Sequence, residues 1–281
     1  MPESTSSEMS HKHPHPQLFA DAFLGKTVLV TGASGGIGRE IAIRFAAAGA
    51  CVCVHYSSRP AEAETTLDAV HEASQAAGHH HQHHKAVHAD LTRADQVEHM
   101  VQDVFSKAGL DILINNAGVY ERHSLVEVSY ADWQEAWRRA LGSNLVGAAN
   151  AAYCAGRHMI ERGKGGRIIN ISSRGAFRGE PLAPAYGASK AGLNAMSQSL
   201  AQALAPHGIF VYAIAPGFVE TAMARPYLTG EMAASIKAQS PLGRVATVGD
   251  VAYWALCLAA PGAEFATGTI VDVNGASYLR S

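Results

Sequence analysis

Residues 27–38 have the sequence TVLVTGASGGIG, in which four apolar residues lead directly into a glycine-rich turn. The residues that follow, from Ile37 to Ala48, have the apolar spacing of an amphipathic helix, and Gly49 ends it. Glycines let backbone amides approach a pyrophosphate closely, and a helix N-terminus adds partial positive charge. The spacing is TGxxxGxG rather than GxGxxG, but the strand–turn–helix setting favours a cofactor site over a turn that binds no ligand.

Beyond this unit, apolar strands alternate with helices to the end of the chain. We predict strands at residues 51–55, 86–89, 112–114, 167–171, 210–215 and 269–273. We predict further helices at residues 61–77, 94–107, 131–161, 186–205 and 248–259. Short, continuously apolar strands that are each followed by a helix are typical of a parallel sheet covered on both faces. The sequence therefore predicts one α/β domain at residues 23–281, a doubly wound, three-layer structure with a seven-stranded parallel sheet, after a flexible extension at residues 1–22.

The composition excludes several classes of partner. The chain has 22 Lys and Arg against 24 Asp and Glu, a net charge of −2, which does not favour binding to nucleic acid or to an anionic membrane. It contains no long apolar run of the kind that spans a membrane, and its first residues lack the apolar segment of a secretory signal. The four cysteines follow no disulfide spacing. We therefore expect a cytoplasmic protein that acts on a small molecule.

Polar residues follow two more of the predicted strands. Asp90 ends the third strand, and Asn115-Asn116-Ala117-Gly118 follows the fourth. In a doubly wound sheet, ligands bind at the carboxyl ends of the strands near the point where strand order reverses. Either segment alone could be an ordinary turn, but together with the glycine turn they predict neighbours of an adenine and a ribose.

The candidate catalytic residues follow the fifth strand. Ser172-Ser173 follows that strand, and the segment YGASK then places Tyr186 and Lys190 four residues apart, on one face of a helix. An ammonium group close to the phenol is expected to lower the pKa of Tyr186 from about 10 towards the working pH. A phenol of that kind can act as a general acid or base on a carbonyl or an alcohol, and the Ser173 hydroxyl can bind the same substrate oxygen.

The end of the second strand bears on the choice of cofactor. A carboxylate there would bind the ribose hydroxyls of NAD and repel the 2′-phosphate of NADP. The chain instead has Tyr56, Ser57, Ser58 and Arg59, which can donate hydrogen bonds and charge to a phosphate. We therefore predict NADP(H) over NAD(H), the alternative being that Arg59 only solvates the start of the next helix.

The order of TGASGGIG, NNAG, a strand-terminal serine, YGASK and PGFVET resembles the short-chain dehydrogenase/reductase family over about residues 26–275. The resemblance implies a Rossmann-type, NADP-binding catalytic domain in which Tyr186 donates or accepts the proton. It implies that Lys190 tunes Tyr186 and holds the nicotinamide ribose, and that Ser173 orients the substrate oxygen. It implies that Asn144 holds a water of a proton relay.

The glycine turn, the strand ends and the resemblance together predict a full set of cofactor contacts. They are Gly32, Ser34, Gly36, Ile37, Gly38, Tyr56, Ser57, Ser58, Arg59, Asp90, Leu91, Asn116, Ala117, Gly118, Tyr186, Lys190, Pro216, Gly217, Val219 and Thr221. Within the family the chain is most similar to 3-oxoacyl-acyl-carrier-protein reductases, and the resemblance also implies a homotetramer. Sugars, polyols and other small ketones are alternative substrates. A non-catalytic NADP(H) sensor is a further alternative, which the complete set of four catalytic residues disfavours.

Three further segments have less decisive sequences. Residues 218–246 contain prolines and glycines around short helical pieces, which is typical of a mobile lid over a substrate. Arg174, Arg178 and Arg225 are expected near the pocket, where they would either bind an acidic substrate or simply be solvated. The histidine run at residues 79–84 lacks flanking acids or cysteines, so we predict a polar loop there and no metal site.

Overall fold

The computed structural model describes residues 19–280. Most of the extension predicted at residues 1–22 lies outside these residues. Within it, the ring of Phe19 packs against Tyr253, with 5.9 Å between ring centroids. The domain boundary at residue 22 therefore stays a prediction.

The strands form one parallel sheet of seven, in the order β3-β2-β1-β4-β5-β6-β7. Their bounds are β1 (Thr27–Val30), β2 (Cys51–Tyr56), β3 (Lys85–His88), β4 (Ile112–Asn115), β5 (Gly166–Ile171), β6 (Ile209–Pro216) and β7 (Ile270–Val273). The chain moves outward from β1 in one direction to β3 and then returns to β4 on the other side of β1. The switch point between β1 and β4 is where a doubly wound sheet opens a crevice for ligands, and the predicted fold class is confirmed.

Helices cover both faces of the sheet. Their bounds are α1 (Gly36–Ala47), α2 (Pro60–Ala76), α3 (Ala94–Ala108), α4 (Tyr130–Leu141), α5 (Gly147–Arg162), α6 (Gly175–Arg178), α7 (Pro184–Leu204), α8 (Gly230–Ala238) and α9 (Val248–Ala259). Helix α1 packs between α2 and α9, while α3 and α5 pack together against the other face. The buried apolar residues form two hydrophobic cores. In β1, Val28 and Val30 belong to one core and Leu29 belongs to the other. Both faces of β1 are thus apolar because both are covered.

The helix predicted as continuous over residues 131–161 is interrupted, and that prediction is wrong in this detail. Helices α4 and α5 are separated by a π-helical turn at Gly142–Val146. The turn packs tightly, since a Cβ at Gly147 would lie 2.6 Å from the carbonyl oxygen of Leu91. The wider turn directs Asn144 into the protein, where it is 1% exposed. Such π turns occur often at functional sites.

Candidate active site

The glycine turn is held in place from the neighbouring strand. The side-chain amide of Asn116, just after β4, donates hydrogen bonds to the carbonyl oxygens of Thr31 and Gly32 at 2.9 and 3.1 Å. The Thr31 hydroxyl in turn accepts from the backbone amides of Asn116 and Ala117 at 3.0 and 3.1 Å. These bonds join the ends of β1 and β4, the two strands at the switch point. The turn is therefore rigidly positioned before any ligand binds.

His55 also supports the turn, and the sequence analysis missed it. Its Nδ1 accepts a hydrogen bond from the Gly32 amide at 2.9 Å, so the ring proton lies on Nε2, which donates to the Ala89 carbonyl at 3.0 Å. The ring is buried, and this burial lowers the pKa of His55 to about 4. A histidine inside the otherwise apolar β2 was the signal in the sequence, since a buried polar side chain needs partners.

We expect His55 to make the fold sensitive to acid. The folded pKa of about 4 lies below the unfolded value near 6.5, so the unfolded chain takes up a proton as the pH falls through this interval and the folded chain does not. The stabilisation is complete above pH ~6.5 and is lost towards pH ~4, by up to roughly 3 kcal/mol. Denaturant unfolding of wild type and His55→Asn across this range measures it. His84, whose pKa burial also lowers to about 4, stays in both proteins, so parallel pH curves would contradict the assignment to His55.

A cleft of about 800 Å³ opens at the switch point. Most of the predicted cofactor residues line it: Gly32, Ser34, Gly36, Ile37, Ser57, Ser58, Arg59, Asp90, Leu91, Asn116, Ala117, Gly118 and Thr221. Thr221 comes from the segment after β6, and a Cβ at Gly36 would lie 3.5 Å from its Cγ2. The size of the cleft and its glycine-lined floor fit a dinucleotide whose pyrophosphate meets the N-terminus of α1.

Other predicted cofactor residues lie elsewhere. Tyr56 is not among the residues lining the cleft, and its ring contacts His88 with 5.3 Å between centroids. Gly38 lies beneath the turn, where a Cβ would contact the Asn116 side-chain amide and come within 2.6 Å of the Gly32 carbonyl. Its role is therefore to let α1 pack against the turn. Pro216, Gly217 and Val219 line a second, smaller cavity.

This second cavity contains the candidate catalytic residues. It has a volume of about 160 Å³ and is lined by Ser173 and Tyr186, and it shares Ile37, Ile171 and Thr221 with the large cleft. The shared residues show that the two spaces are adjacent. Tyr186 lies in the first turn of α7, which begins at Pro184, and Ser173 is the second residue after β5. The two hydroxyls are close enough for Ser173 to lower the pKa of the Tyr186 phenol.

The electrostatics of this pair differ from the prediction. Burial raises the pKa of the Tyr186 phenol, and Ser173 partly opposes that rise. The prediction that Lys190 lowers this pKa is wrong for this structure. The Lys190 ammonium lies 5.9 Å from the centroid of the Tyr186 ring and donates to the Ile171 carbonyl at 2.7 Å. Burial also lowers the pKa of Lys190 itself, to about 8.

Asn144 and Lys190 meet at Gly118. A Cβ at Gly118 would lie 3.4 Å from both Asn144 Oδ1 and Lys190 Nζ. Asn144 Oδ1 accepts from the Val119 amide at 2.8 Å, and its Nδ2 donates to the Val119 carbonyl and to Ser189 Oγ at 3.0 and 3.1 Å. Asn144 thus fixes the loop after β4 against α7. Ser189, which the sequence analysis did not single out, completes this link.

The histidine run is anchored at both ends. His79 lies 3.4 Å from Asp21, and the buried His84 accepts a hydrogen bond from the Val52 amide at 3.1 Å. Within residues 19–280, no group of three or more His, Cys, Asp or Glu side chains is arranged to hold a metal ion. In the same part of the chain, no helix has the length and apolar character that crossing a bilayer requires.

A doubly wound sheet with a glycine turn at its switch point, and a tyrosine, a lysine and a serine where the cleft ends, defines a dinucleotide-dependent oxidoreductase. The short chain dehydrogenase family model matches residues 26–231, and the chain belongs to this family. Its members bind a nicotinamide cofactor and act on CH–OH and C=O groups. The predicted family is thereby confirmed.

Individual relatives cover nearly the whole chain. A 3-oxoacyl-(acyl-carrier-protein) reductase, FabG, of Staphylococcus aureus is 36% identical over 90% of this chain and 98% of that protein. A short-chain dehydrogenase/reductase from Mycobacterium ulcerans has a similar structure, with a TM-score of 0.83 and 28% identity over 91% of this chain and 90% of that one. A putative NAD(P)-dependent gluconate 5-dehydrogenase from Beutenbergia cavernae, solved with bound NADP, has a TM-score of 0.80 and 34% identity over 92% and 97%.

Proposed function

We propose that this protein is an NADP(H)-dependent oxidoreductase that interconverts a ketone and a secondary alcohol. The observation that carries the proposal is that Tyr186 and Ser173 line one cavity, which shares wall residues with the dinucleotide cleft. A substrate oxygen bound between these two hydroxyls would lie next to the end of the cleft. An enzyme of this family needs its reacting carbon in that place.

The residues of the chain have separate roles in the reaction. The nicotinamide, when bound, supplies or accepts the hydride. Ser173 donates a hydrogen bond to the substrate oxygen and stabilises the negative charge that develops there. Tyr186 donates its proton to that oxygen during reduction and takes it back during oxidation. Lys190 would hold the ribose of the nicotinamide, as the family resemblance implies, and Asn144 positions the loop that carries Gly118.

The cleft residues would hold the cofactor from end to end. The backbone of Gly32 to Gly38, including Ser34, Gly36 and Ile37, would bind the pyrophosphate at the start of α1. Asp90, Leu91 and the Asn116–Gly118 segment would surround the adenosine and the ribose. Pro216, Gly217, Val219 and Thr221, together with Tyr186 and Lys190, would contact the nicotinamide end. These assignments follow the family resemblance and the residues that line the two spaces.

The end of β2 supports NADP(H) over NAD(H). Ser57, Ser58 and Arg59 line the cleft, and all three are exposed. Within residues 19–280, the Arg59 guanidinium forms no ion pair with an acidic side chain. A 2′-phosphate would find hydrogen-bond donors and a positive charge here, and no carboxylate at the end of β2 to repel it. The bound NADP of the Beutenbergia cavernae protein agrees with this choice.

We expect Arg59→Ala to lower kcat/KM for NADPH by roughly 10-fold, because it removes a charge-assisted hydrogen bond to the phosphate. NADH lacks the phosphate and is its own control, so its kcat/KM should change by less than about twofold. The measurement is the NADPH to NADH ratio of kcat/KM with one ketone substrate. A wild-type preference for NADH would contradict the cofactor assignment itself.

Two classes of substrate are candidates for this protein. The FabG relative favours 3-oxoacyl thioesters, whereas the gluconate 5-dehydrogenase relative favours sugars, polyols or other small ketones. A non-catalytic NADP(H) sensor is the alternative from another class. A screen of NADPH oxidation with acetoacetyl thioesters, keto sugars and simple ketones tests all three. NADPH binding without turnover of any ketone would favour the sensor.

The proposal includes a lid and an assembly. Backbone hydrogen bonds join the two ends of the lid, residues 218–246. The Glu220 amide donates to the Ala246 carbonyl at 2.9 Å, and the Ala246 amide donates to the Phe218 carbonyl at 3.0 Å. Between these bonds it carries α8, and Tyr227 and Met223 from it line the catalytic cavity. We propose that it covers the substrate. The homotetramer and the cytoplasmic location are part of the same proposal, from the family resemblance and the composition.

A further inference from the structure

The three arginines expected near the pocket have different environments. Arg178 is exposed, and its guanidinium lies 3.9 Å from Glu180. Arg225 is also exposed and lines a separate depression beside α1. Arg174, one residue after Ser173, is only 4% exposed and lines the cavity that contains Tyr186. Burial lowers the pKa of this guanidinium to about 10, which still leaves it charged at neutral pH.

Arg174 is held in one position. Its backbone amide donates to the Pro216 carbonyl at 2.8 Å, and its Nη1 donates to Ser277 Oγ at 2.5 Å. Its guanidinium carbon lies 5.5 Å from the centroid of the Phe218 ring. These neutral contacts orient the group without neutralising its charge.

Within the part of the chain that the structure describes, no carboxylate forms an ion pair with Arg174 at 4 Å or less, and Glu180 acts on its charge only from a greater distance. Each acid that lines its surroundings is paired with another arginine. Glu180 pairs with Arg178, while Asp250 pairs with Arg244 and Asp272 pairs with Arg280, each at 2.7 Å. A buried charge without a counter-ion is costly. Arg174 would gain a counter-ion if the substrate that binds in the same cavity as Tyr186 and Ser173 carried an anionic group.

A row of neighbouring aromatic rings extends from Tyr186 to the guanidinium of Arg174. The Tyr120 ring lies 5.0 Å from that of Tyr186 and 6.2 Å from that of Tyr227. The Tyr227 ring lies 6.3 Å from Phe218, whose face Arg174 approaches. The cavity along this wall is small, at about 160 Å³. Because Arg174, Ser173 and Tyr186 all line this cavity, a small substrate bound in it would have a cation and the catalytic hydroxyls as neighbours.

We propose that Arg174 binds a free carboxylate of the substrate, so that the protein interconverts a small oxo acid and the corresponding hydroxy acid. The inference rests on the proposed function and names its substrate class. In the reduction, the ketone carbon gains a hydride from NADPH and its oxygen gains a proton from Tyr186. The carboxylate is unchanged, and its two oxygens match the paired donors of a guanidinium.

The first test needs no variant. NADPH oxidation is measured with levulinate and acetoacetate and with their methyl esters, which have the same ketone without the charge. We expect kcat/KM for the acids to exceed that for the esters by about 100-fold, since the esters leave a buried charge unpaired. Equal turnover of acids and esters, or faster turnover of acetoacetyl thioesters, would overturn the inference.

Arg174→Gln should then reduce the acid-to-ester ratio of kcat/KM from about 100 to near 1, whereas Arg174→Lys should leave part of the preference. Arg225→Gln removes an equal charge outside the cavity and should keep the wild-type ratio. A loss of both activities in equal proportion would assign Arg174 a structural role and reject the inference. The ratio within each variant corrects for differences in the folded fraction.

Binding separates this inference from the proposed function. Calorimetric titration of levulinate into the NADPH-loaded protein is expected to show binding that methyl levulinate lacks and that Arg174→Gln abolishes. Carboxylate binding without turnover of any ketone would support the anion site at Arg174 and contradict the proposed oxidoreductase activity. Turnover of neutral ketones without carboxylate binding would retain the oxidoreductase and reject the anion site.

Discussion

Tyr186→Phe is expected to lower kcat for ketone reduction by about 10³-fold, while the affinity for NADPH changes by less than about threefold. The substitution removes only the phenolic oxygen, the group that donates the proton and whose pKa Ser173 lowers. The ring, its contact with Tyr120 and the packing of α7 remain. NADPH fluorescence measures binding, and single-turnover kinetics measures the chemical step.

Tyr227→Phe is the matched control. Tyr227 lines the same cavity and its hydroxyl is hydrogen-bonded to Tyr120, but it has no serine or lysine partner of the catalytic kind. We expect its kcat to fall by less than about 10-fold, as for the loss of one neutral hydrogen bond. A Tyr186→Phe enzyme that retained more than about a tenth of wild-type kcat would remove Tyr186 from the role of general acid.

Gly38→Ala should have the largest effect on the cofactor site and on stability. The added Cβ would contact the Asn116 side-chain amide and lie 2.6 Å from the Gly32 carbonyl, both parts of the glycine turn. Neither group can move without breaking the bonds from Asn116 that join β1 to β4. We expect the free energy of unfolding to fall by about 3 kcal/mol, as for other overpacked sites, and Kd for NADPH to rise by roughly 10-fold or more.

Gly35→Ala provides the control for stability within the same turn. Gly35 has an extended backbone, with a φ of −179°, and a Cβ there would have nothing within 4 Å. We expect this variant to change the free energy of unfolding by less than about 1 kcal/mol. Denaturant unfolding of both variants measures the difference. Equal losses in the two proteins would show that the turn is sensitive to any side chain and that the contact at Gly38 is not the cause.

Local sequence patterns were sufficient for the elements of the fold. Strands β1 to β7 were predicted to within about one residue at each end, because each is a continuous apolar run bounded by turn residues. The spacing of Tyr186 and Lys190 determined that both lie on one helix face. The order of the motifs along the chain was enough to assign the family.

Three features came only from the tertiary structure, and each depends on residues far apart in the chain. The π turn at Asn144 lies directly before Gly147, which packs against Leu91. Gly38 is constrained by Asn116, which is placed by the pairing of β4 with β1. The buried guanidinium of Arg174 is hydrogen-bonded to Ser277, 103 residues further along the chain.

The sequence by itself determined the strands and most of the helices, the order of the motifs and the family to which the chain belongs. The tertiary structure alone decided which polar groups are satisfied and which charge is left without a partner. The physical reason is that an apolar period is a property of neighbouring residues, whereas burial and charge balance depend on which strands lie side by side. Arg174, Arg178 and Arg225 are equivalent as letters in the sequence, and only the tertiary structure shows that Arg174 is buried and lines the cavity of the catalytic pair.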